Sequence, residues 1–475
     1  MLPGAEPAEN RRGAILALLS FAMLIVSLDQ YIVVVALPDI ARDLGYSPQD
    51  LQSVVSAYAI ASSGFLLLGG RASDLLGRRR VLVLGLLLYC LASLAGGLST
   101  SAIQQLVGRT VQGLGGALVF PSTLALINVR FREGEERNRA LGIWSGAGAA
   151  GLVIGVLLGG ALTSWFGWRA VFLVNVPLAG LALVAALIFI DADGPIDRSR
   201  AFDLPGAVTV TTSVTLVVVA LVEGPNLGWG SLWTIGLLIS GSALGLAFIL
   251  IEKRSSDPLL PLTMLENTWL RLALVVAALF MATFGALLYF LSIFFQMVLR
   301  YDALHAGLAF LLPTVVVVLS SALASQVITR VGLRLTMMGA LAIGAIGALA
   351  LGFTLDSEVS FLALVPGLIA MSIGDGAMFT AVFIAAATGV SDRQQGVASG
   401  IVSTGQGVGA AVGLAALVLV ANAFTKGLDG EALRIATAQG IAHAAYAIAG
   451  GILLTLFIVA SFRRRPDAPN RSDGK

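Results

Sequence analysis

Residues 13–37 read GAILALLSFAMLIVSLDQYIVVVAL and hold a single charged residue, Asp29. A hydrocarbon core about 30 Å thick is crossed by roughly 20 apolar helical residues, because backbone polar groups in lipid must be bonded within the helix. The run is long enough to cross a bilayer. It follows Arg11 and Arg12 but lacks a convincing cleavage site, so it predicts an uncleaved first transmembrane span.

The composition extends this prediction to the whole chain. Of its 475 residues, 57% are hydrophobic and 12% are charged, with a mean hydropathy of +0.92, whereas soluble domains have about 45–50% apolar and 25% charged residues. The sequence therefore predicts an all-α polytopic protein of the lipid bilayer. A net charge of +2 gives no electrostatic reason to expect a nucleic-acid partner. The single cysteine, Cys90, excludes an internal disulfide and argues against a Cys-ligated metal site, and we expect no metal and no cofactor.

Fourteen segments meet the length requirement for a span, and the even number puts both termini on one side. The positive-inside rule chooses that side. With cytoplasmic termini, only Arg42, Arg169, Arg300, Lys426 and Arg434 lie in outside loops. We therefore expect a multi-pass plasma-membrane protein with both termini in the cytoplasm. The segments are residues 13–37, 51–70, 81–98, 102–128, 140–163, 169–190, 204–223, 231–251, 269–298, 304–329, 334–355, 359–388, 398–421 and 437–461.

Three charged residues lie well inside these spans: Asp29, Arg109 and Asp375. A charge at the bilayer centre costs about 2.5–3.5 kcal/mol even on lenient scales, so such residues usually line a cavity and find partners. At about 1.5 Å per residue, Asp29 lies roughly 12 Å and Arg109 roughly 10 Å below the outer ends of their spans. The two side chains can therefore meet at one level of the membrane.

A pair of Asp29 and Arg109 could couple helix movement to protons. A nearby guanidinium favours the ionised carboxylate, and loss of that partner in a less polar cavity favours the protonated form. The alternative is a permanently ionised pair that only holds two helices together. Asp375, in SIGDGAMF at 372–379, could bind a cation or a second proton, and its alternative is a hydrogen-bonded helix contact.

Residues 146–151, GAGAAG, match the dinucleotide-binding pattern G-x-G-x-x-G, but that pattern requires a preceding strand and an exposed helix N-terminus. Here it lies in an apolar helix, where Gly151, Gly155 and Gly159 recur every four residues. Small residues at this spacing let transmembrane helices approach closely, so we expect a packing role. A second stripe, at residues 405, 409 and 413, indicates two related six-span halves separated by an extra pair.

The loop after the second span, GGRASDLLGRRR at 69–80, sets Asp74 beside a basic cluster. Charge pairs and helix ends in such a loop can lock two helices together. A later loop, SQVITRVGLR at 325–334, is similar but has Thr329 where the acid would be.

These features together resemble the major facilitator superfamily, and specifically its fourteen-span drug:proton antiporters of the EmrB/QacA type. The loop at 69–80 is similar to the superfamily signature, and the resemblance implies that its residues gate conformational change. The matching residues are Gly70, Asp74, Gly77, Arg78 and Arg79.

Two other stretches are similar to antiporter motifs. GRTVQGLGGA at 108–117 contains Arg109 in a motif that the family associates with proton transfer. Residues 28–38 resemble the pattern L-D-x-T-x-V-N-V-A-L-P, with Tyr31 and Val34 in place of threonine and asparagine. The antiporter signature of the fifth span, G-x-x-x-G-P-x-x-G-G, is matched by GLVIGVLLGG at 151–160, with Val156 in place of the proline.

The resemblance implies two six-helix bundles that face each other around a midplane cavity, plus two extra central helices. The expected parts are a tail at 1–12, a bundle at 13–190, a loop at 191–203, the extra pair at 204–251, a loop at 252–268, a bundle at 269–461 and a tail at 462–475.

By the same resemblance we expect a secondary transporter that exports hydrophobic compounds, cationic ones among them, in exchange for protons. Candidate binding residues besides Asp375 are Tyr31, Tyr289 and Gln296, since aromatic rings near an acid suit bulky cations. We also expect a monomer.

Several alternatives stay open. The main one is a dedicated exporter of one endogenous metabolite or antibiotic, and an importing symporter is another. A non-transporting receptor would bind a compound without moving it. A membrane enzyme or an ATP-driven pump finds no support, because the sequence has no Ser-His-Asp or Walker-type cluster.

Overall fold

The computed structural model describes residues 6–46, 53–195, 203–255, 257–301, 303–423, 425 and 427–462, which form helices and turns without a strand. Within these described residues, thirteen helices are long and apolar enough to cross a membrane, and the bent helix α5 makes a fourteenth when its two parts are counted as one span. The predicted all-α, fourteen-span architecture is confirmed. The spans are α1 Glu6–Leu44, α2 Ser53–Leu76, α3 Arg78–Gly97, α4 Ala102–Arg130, α5 Glu135–Phe166, α6 Arg169–Phe189, α7 Leu204–Leu227, α8 Leu232–Glu252, α9 Thr268–Val298, α10 His305–Val331, α11 Leu333–Thr354, α12 Phe361–Ala387, α13 Gln395–Ala421 and α14 Gly430–Ser461.

Several helices are longer or less regular than their apolar runs. Helix α1 covers Glu6–Leu44, although its apolar run is 13–37, because hydropathy marks only the part of a helix that lies in lipid. Helix α5 bends by 41° between Leu152 and Leu157. Helix α9 contains two π-helical turns, at Met281–Gly285 and Phe294–Val298. A π turn rotates the side chains that follow it relative to a regular helix.

The first six and the last six spans pack in the same way. Helix α1 packs on α5 and both α2 and α3 pack on α4, while α9 packs on α13 and both α10 and α11 pack on α12. The two sets meet where α2 contacts α13 and α5 contacts α10. Helices α7 and α8 pack on each other, and α7 also contacts α2 and α13. The extra pair therefore lies beside one of the two contacts between the halves.

Glycines allow the closest of these approaches. A Cβ on Gly151, Gly155 or Gly159 would overlap the backbone of α1, in particular the carbonyl groups of Leu24, Leu28 and Ile32. In the second half, glycines 409 and 413 of α13 face the backbone of α9 in the same manner. Helix α5 continues through 146–151, so GAGAAG is a helix-packing surface and not a phosphate-binding loop.

Candidate functional site

Asp29 and Arg109 meet inside the first bundle. Asp29 of α1 is fully buried, and Arg109 of α4 is 1% exposed. The Nη1 atom of Arg109 lies 2.5 Å from Oδ2 of Asp29. The other carboxylate oxygen, Oδ1, accepts hydrogen bonds from Nε2 of Gln112 at 2.9 Å and from Nδ2 of Asn175 at 2.8 Å. One guanidinium and two amides thus donate to the carboxylate of Asp29.

Arg109 has further contacts that fix its position. Its Nε donates to the carbonyl oxygen of Val54 at 3.0 Å, and its guanidinium lies 4.6 Å from the centre of the Tyr58 ring. Its Nη1 also donates to Oε1 of Gln112 at 2.8 Å. Helices α1, α2, α4 and α6 therefore meet at one charged centre, and a shift of any of them changes the surroundings of Asp29.

Asn175 is the member of this centre that sequence reasoning did not single out. It lies in α6, within WRAVFLVNVP at 168–177, and its side chain is fully buried. The signal in the sequence is a side-chain amide in a largely apolar stretch. Such an amide is costly to bury in lipid without a hydrogen-bond partner.

Asp375 lies in a separate place, in a cleft between α5, α9, α10 and α12. Apart from Asp375, the cleft is almost entirely apolar. Asp375 is only partly buried there, and it makes no hydrogen bond or ion pair with the side chains that the structure describes. The cleft is lined by Ala149, Leu152, Phe284, Leu287, Leu288, Leu291, Pro313, Thr314, Val317, Leu368, Met371, Ser372 and Asp375.

The glycines on either side of Asp375 bring α12 close to its neighbours. A Cβ on Gly376 would overlap the carbonyl of Val317 in α10, and one on Gly374 would lie 2.7 Å from the carbonyl oxygen of Ala340 in α11. Helix α12 is therefore held between two helices at the level of Asp375. This fixes the carboxylate at the wall of the cleft.

The other predicted binding residues are not brought together with Asp375. Tyr289 is 44% exposed and packs on Phe290. Gln296 is exposed and donates to the hydroxyl of Ser292 at 3.0 Å. Neither lines the cleft, whereas other residues of α9 do. The side chains of Tyr31 and Val156 lie outside the described residues, so the binding roles of Tyr31, Tyr289 and Gln296 stay predictions.

An aromatic cluster lies between the two halves, near the cleft. Trp144 of α5 stacks on Phe379 at 6.3 Å and meets Phe383 edge-on at 5.3 Å. Phe120 of α4 contacts both Trp144 and Phe383. The cluster joins the two halves on the side of Asp375 nearer the start of α1 and the end of α14, which we call the terminal face.

The loop at 69–80 makes the next contact between the halves, at the terminal face. Asp74 accepts hydrogen bonds from the backbone N–H groups of Gly396 at 3.1 Å and Val397 at 2.9 Å. These groups are at the N-terminus of α13, where the helix dipole favours a negative charge. Gly70 allows this approach, because a Cβ there would overlap the carbonyl of Gly396. Arg78 lies 3.4 Å from Asp74 and also donates to a backbone carbonyl of the α12–α13 connection.

The two similar loops bind matching helix ends. Gly77, with φ +106°, and Gly332, with φ +92°, adopt a backbone conformation that favours glycine. Arg79 then donates to carbonyl groups at the end of α6, and Arg334 does the same at the end of α14. Thr329, in place of the acid, meets Asn138 of α5 at 3.3 Å. The second contact between the halves is thus neutral where the first is charged.

Comparison with known proteins gives one family. The model of the Major Facilitator Superfamily matches residues 19–414 and 273–475. The puromycin resistance protein pur8 of Streptomyces alboniger is 35% identical over 465 residues, which are 96% of this chain and 92% of the relative. The cephamycin export protein CmcT of Amycolatopsis lactamdurans is 34% identical over 423 residues, which are 88% of this chain and 86% of the relative.

Solved structures share the fold at low identity. The human organic anion transporter MFSD10 gives a TM-score of 0.70 at 17% identity, covering 94% of this chain and 99% of that one. The proton:xylose symporter XylE gives 0.69 at 13% identity, covering 96% of both chains.

Proposed function

Because this chain belongs to the major facilitator superfamily, we propose that it is a secondary transporter that exports hydrophobic drugs or antibiotics in exchange for protons. The family carries small molecules across membranes, so transport and not catalysis is the activity to explain. Two relatives are named for resistance to an antibiotic or for its export, puromycin resistance protein pur8 and cephamycin export protein CmcT. These names support outward transport.

The observation that carries the proposal is the cleft with a single carboxylate. An apolar cavity suits a hydrophobic compound, and Asp375 gives it one negative charge that no described side chain neutralises. A positively charged compound, or a proton, would supply the missing partner. The cargo class that fits best is therefore a hydrophobic molecule with one positive charge.

The proposed coupling site is the pair of Asp29 and Arg109. In this conformation the carboxylate oxygens of Asp29 accept from three donors. If α1 and α4 separate as the halves rock, Asp29 loses its guanidinium in an apolar setting and takes up a proton. Return of Arg109 expels that proton, so one cycle of helix movement moves one proton. The alternative is that Asp29 and Arg109 stay ionised throughout the cycle. Transport would then not depend on the proton gradient.

The proposed moving units are the bundles at 13–190 and 269–461, with 204–251 as a peripheral pair. Asp74 and the aromatic cluster close the terminal face, and their release would open the cleft there. The charge distribution of the loops supports placing this face in the cytoplasm of a plasma-membrane protein. A monomer contains all of the parts named here.

A second candidate is export of one dedicated compound. It is favoured because relatives of this chain are named for single antibiotics, among them puromycin and cephamycin. A dedicated exporter would move one of a panel of compounds, and a drug-efflux protein would move several unrelated ones.

The cargo proposal can be tested with Asp375→Asn in energised vesicles. Export of hydrophobic cations should fall at least about tenfold, because the substitution removes the one charge in the cleft, while export of neutral compounds should persist. Asp356→Asn makes the same chemical change at an exposed position and is the control. Equal losses for cationic and neutral compounds would remove Asp375 from cargo binding.

A further inference from the structure

Two buried carboxyl groups meet where the extra helix pair begins and ends. Asp203 precedes α7, is 7% exposed, and accepts a hydrogen bond from the N–H of Gly206 through Oδ1 at 2.9 Å. Glu252 is the last residue of α8, is 4% exposed, and accepts from the N–H of Leu260 through Oε2 at 2.9 Å. Each carboxyl group thus has one oxygen held by a backbone amide.

The remaining two oxygens lie near the same point. Oδ2 of Asp203 and Oε1 of Glu252 are both buried, and neither has a hydrogen-bond partner among the described residues. Both lie 2.7 Å from the point that a Cβ would occupy on Gly206. Two buried acceptors directed at one point cannot satisfy each other while both carboxyl groups are ionised.

The charges around the pair compensate it only in part. Arg71 of α2 is 1% exposed and lies nearby, but its Nη2 is bound to Asp257 at 2.7 Å. Asp74, also on α2, is held by α13 and Arg78. The side chains of residues 253 and 254, which follow Glu252, are exposed. The carboxyl groups of Asp203, Glu252 and Asp257 thus share the one buried guanidinium of Arg71. The excess negative charge is costly in this buried setting.

We propose that Asp203 and Glu252 together bind one proton, which makes them a proton-dependent clamp on the extra helix pair. The proton comes from solvent at the terminal face and converts one carboxylate into a hydroxyl donor for the other. The clamp ties the start of α7 to the end of α8. A metal ion is a poorer occupant, because hard cations take about six oxygen ligands and the described residues include no group of three acidic, His or Cys side chains that could hold a metal.

The clamp predicts a specific pH dependence. If the folded protein binds one proton more than the unfolded chain, the stability that the clamp adds is complete below the ordinary carboxyl pKa of about 4. It falls as pH rises from there to the pH at which the folded pair loses its shared proton, by up to about tenfold in the unfolding equilibrium for each pH unit, and it does not change further above that pH. Glu252→Gln retains the acceptor for Leu260 and gives Asp203 a permanent donor, so its stability should lose this dependence. Asp203→Asn does the same from the other side.

The experiment is thermal unfolding of the full chain in detergent between about pH 4 and pH 8, for the wild type and the variants Glu252→Gln and Asp203→Asn. Glu266→Gln, an exposed acid in the same connection, is the control and should follow the wild type. A slope that is flattened by either amide variant alone supports the clamp. A slope unchanged in a folded amide variant overturns it. If sodium ions stabilise the wild type at constant pH and ionic strength, and this effect is lost in Glu252→Gln, the pair binds a metal ion and not a proton. That result would overturn the proposal.

Discussion

Replacing Asp29 by asparagine should destabilise the protein far more than a typical surface change. Arg109 is 1% exposed, so the substitution leaves a buried guanidinium without its counterion. Removal of one partner from a buried ion pair costs about 3–5 kcal/mol. Arg109 would keep the carbonyl of Val54, the amide oxygen of Gln112 and the face of the Tyr58 ring, but no negative charge.

The hydrogen bonds of Asp29 add to this cost. Its two oxygens accept from Arg109 at 2.5 Å, Gln112 at 2.9 Å and Asn175 at 2.8 Å. An asparagine has one acceptor oxygen, and its NH₂ group would face either Arg109 or the two amides. In both orientations a donor faces a donor, so at least one buried hydrogen bond is lost.

A double-mutant cycle separates these effects. Asp29→Asn/Arg109→Gln removes both charges, so the double variant should be more stable than the sum of the two single losses predicts, with a coupling of about 1–3 kcal/mol. The assay is denaturant or thermal unfolding of the four proteins in one detergent. If the two losses simply add, the buried pair is not the dominant interaction at this centre, and the reasoning is refuted.

Three further perturbations probe the packing and the terminal face. Asp74→Ala removes two charge-assisted hydrogen bonds to the start of α13 and should raise the equilibrium ratio of the open to the closed terminal face by about tenfold or more. This should be seen as a longer distance between spin labels on α3 and α13. An unchanged distance would show that this contact does not keep the face closed. Gly155→Val should lower stability by about 1–3 kcal/mol because the side chain would separate α1 from α5. Gly450→Val, where a Cβ meets open space, should be tolerated. Equal losses of stability in the two variants would contradict close packing of α1 on α5 at Gly155. Acid should loosen the end of α1 that lies away from the terminal face, where the Trp168 indole N–H, with an adjacent guanidinium, lowers the pKa of Asp43. This link is complete above the ordinary aspartate pKa of about 4 and is lost as pH falls through the lower pKa of the folded state. Tryptophan fluorescence should report this in the wild type, and the same acid-dependent change in Asp43→Asn would assign it elsewhere.

The spans and the central ion pair could be predicted from sequence because lipid imposes strong rules. Charges in apolar runs are rare, and a rise of about 1.5 Å per residue places Asp29 and Arg109 at one depth. Asn175 could not be assigned as a third donor, since the sequence alone does not say which side of α6 faces α1.

The cleft shows a different limit. Tyr289 and Gln296 are candidates because aromatic and polar side chains near an acid suit bulky cations, but the π-helical turns at 281–285 and 294–298 change the rotation of α9. Side-chain direction therefore cannot be counted from a period of 3.6 residues. The carboxyl pair of Asp203 and Glu252 joins two distant segments, and only their packing brings it into view.

Exchange of cargo for protons is tested most directly by proton release from energised inside-out vesicles on addition of hydrophobic cations and neutral antibiotics. The wild type should collapse the pH gradient when a transported compound is added. Asp29→Asn/Arg109→Gln, matched for amount and orientation, should bind the compound but leave the gradient unchanged. Binding by the wild type without any effect on the gradient, or an equal collapse in the double variant, would contradict proton coupling through Asp29 and Arg109.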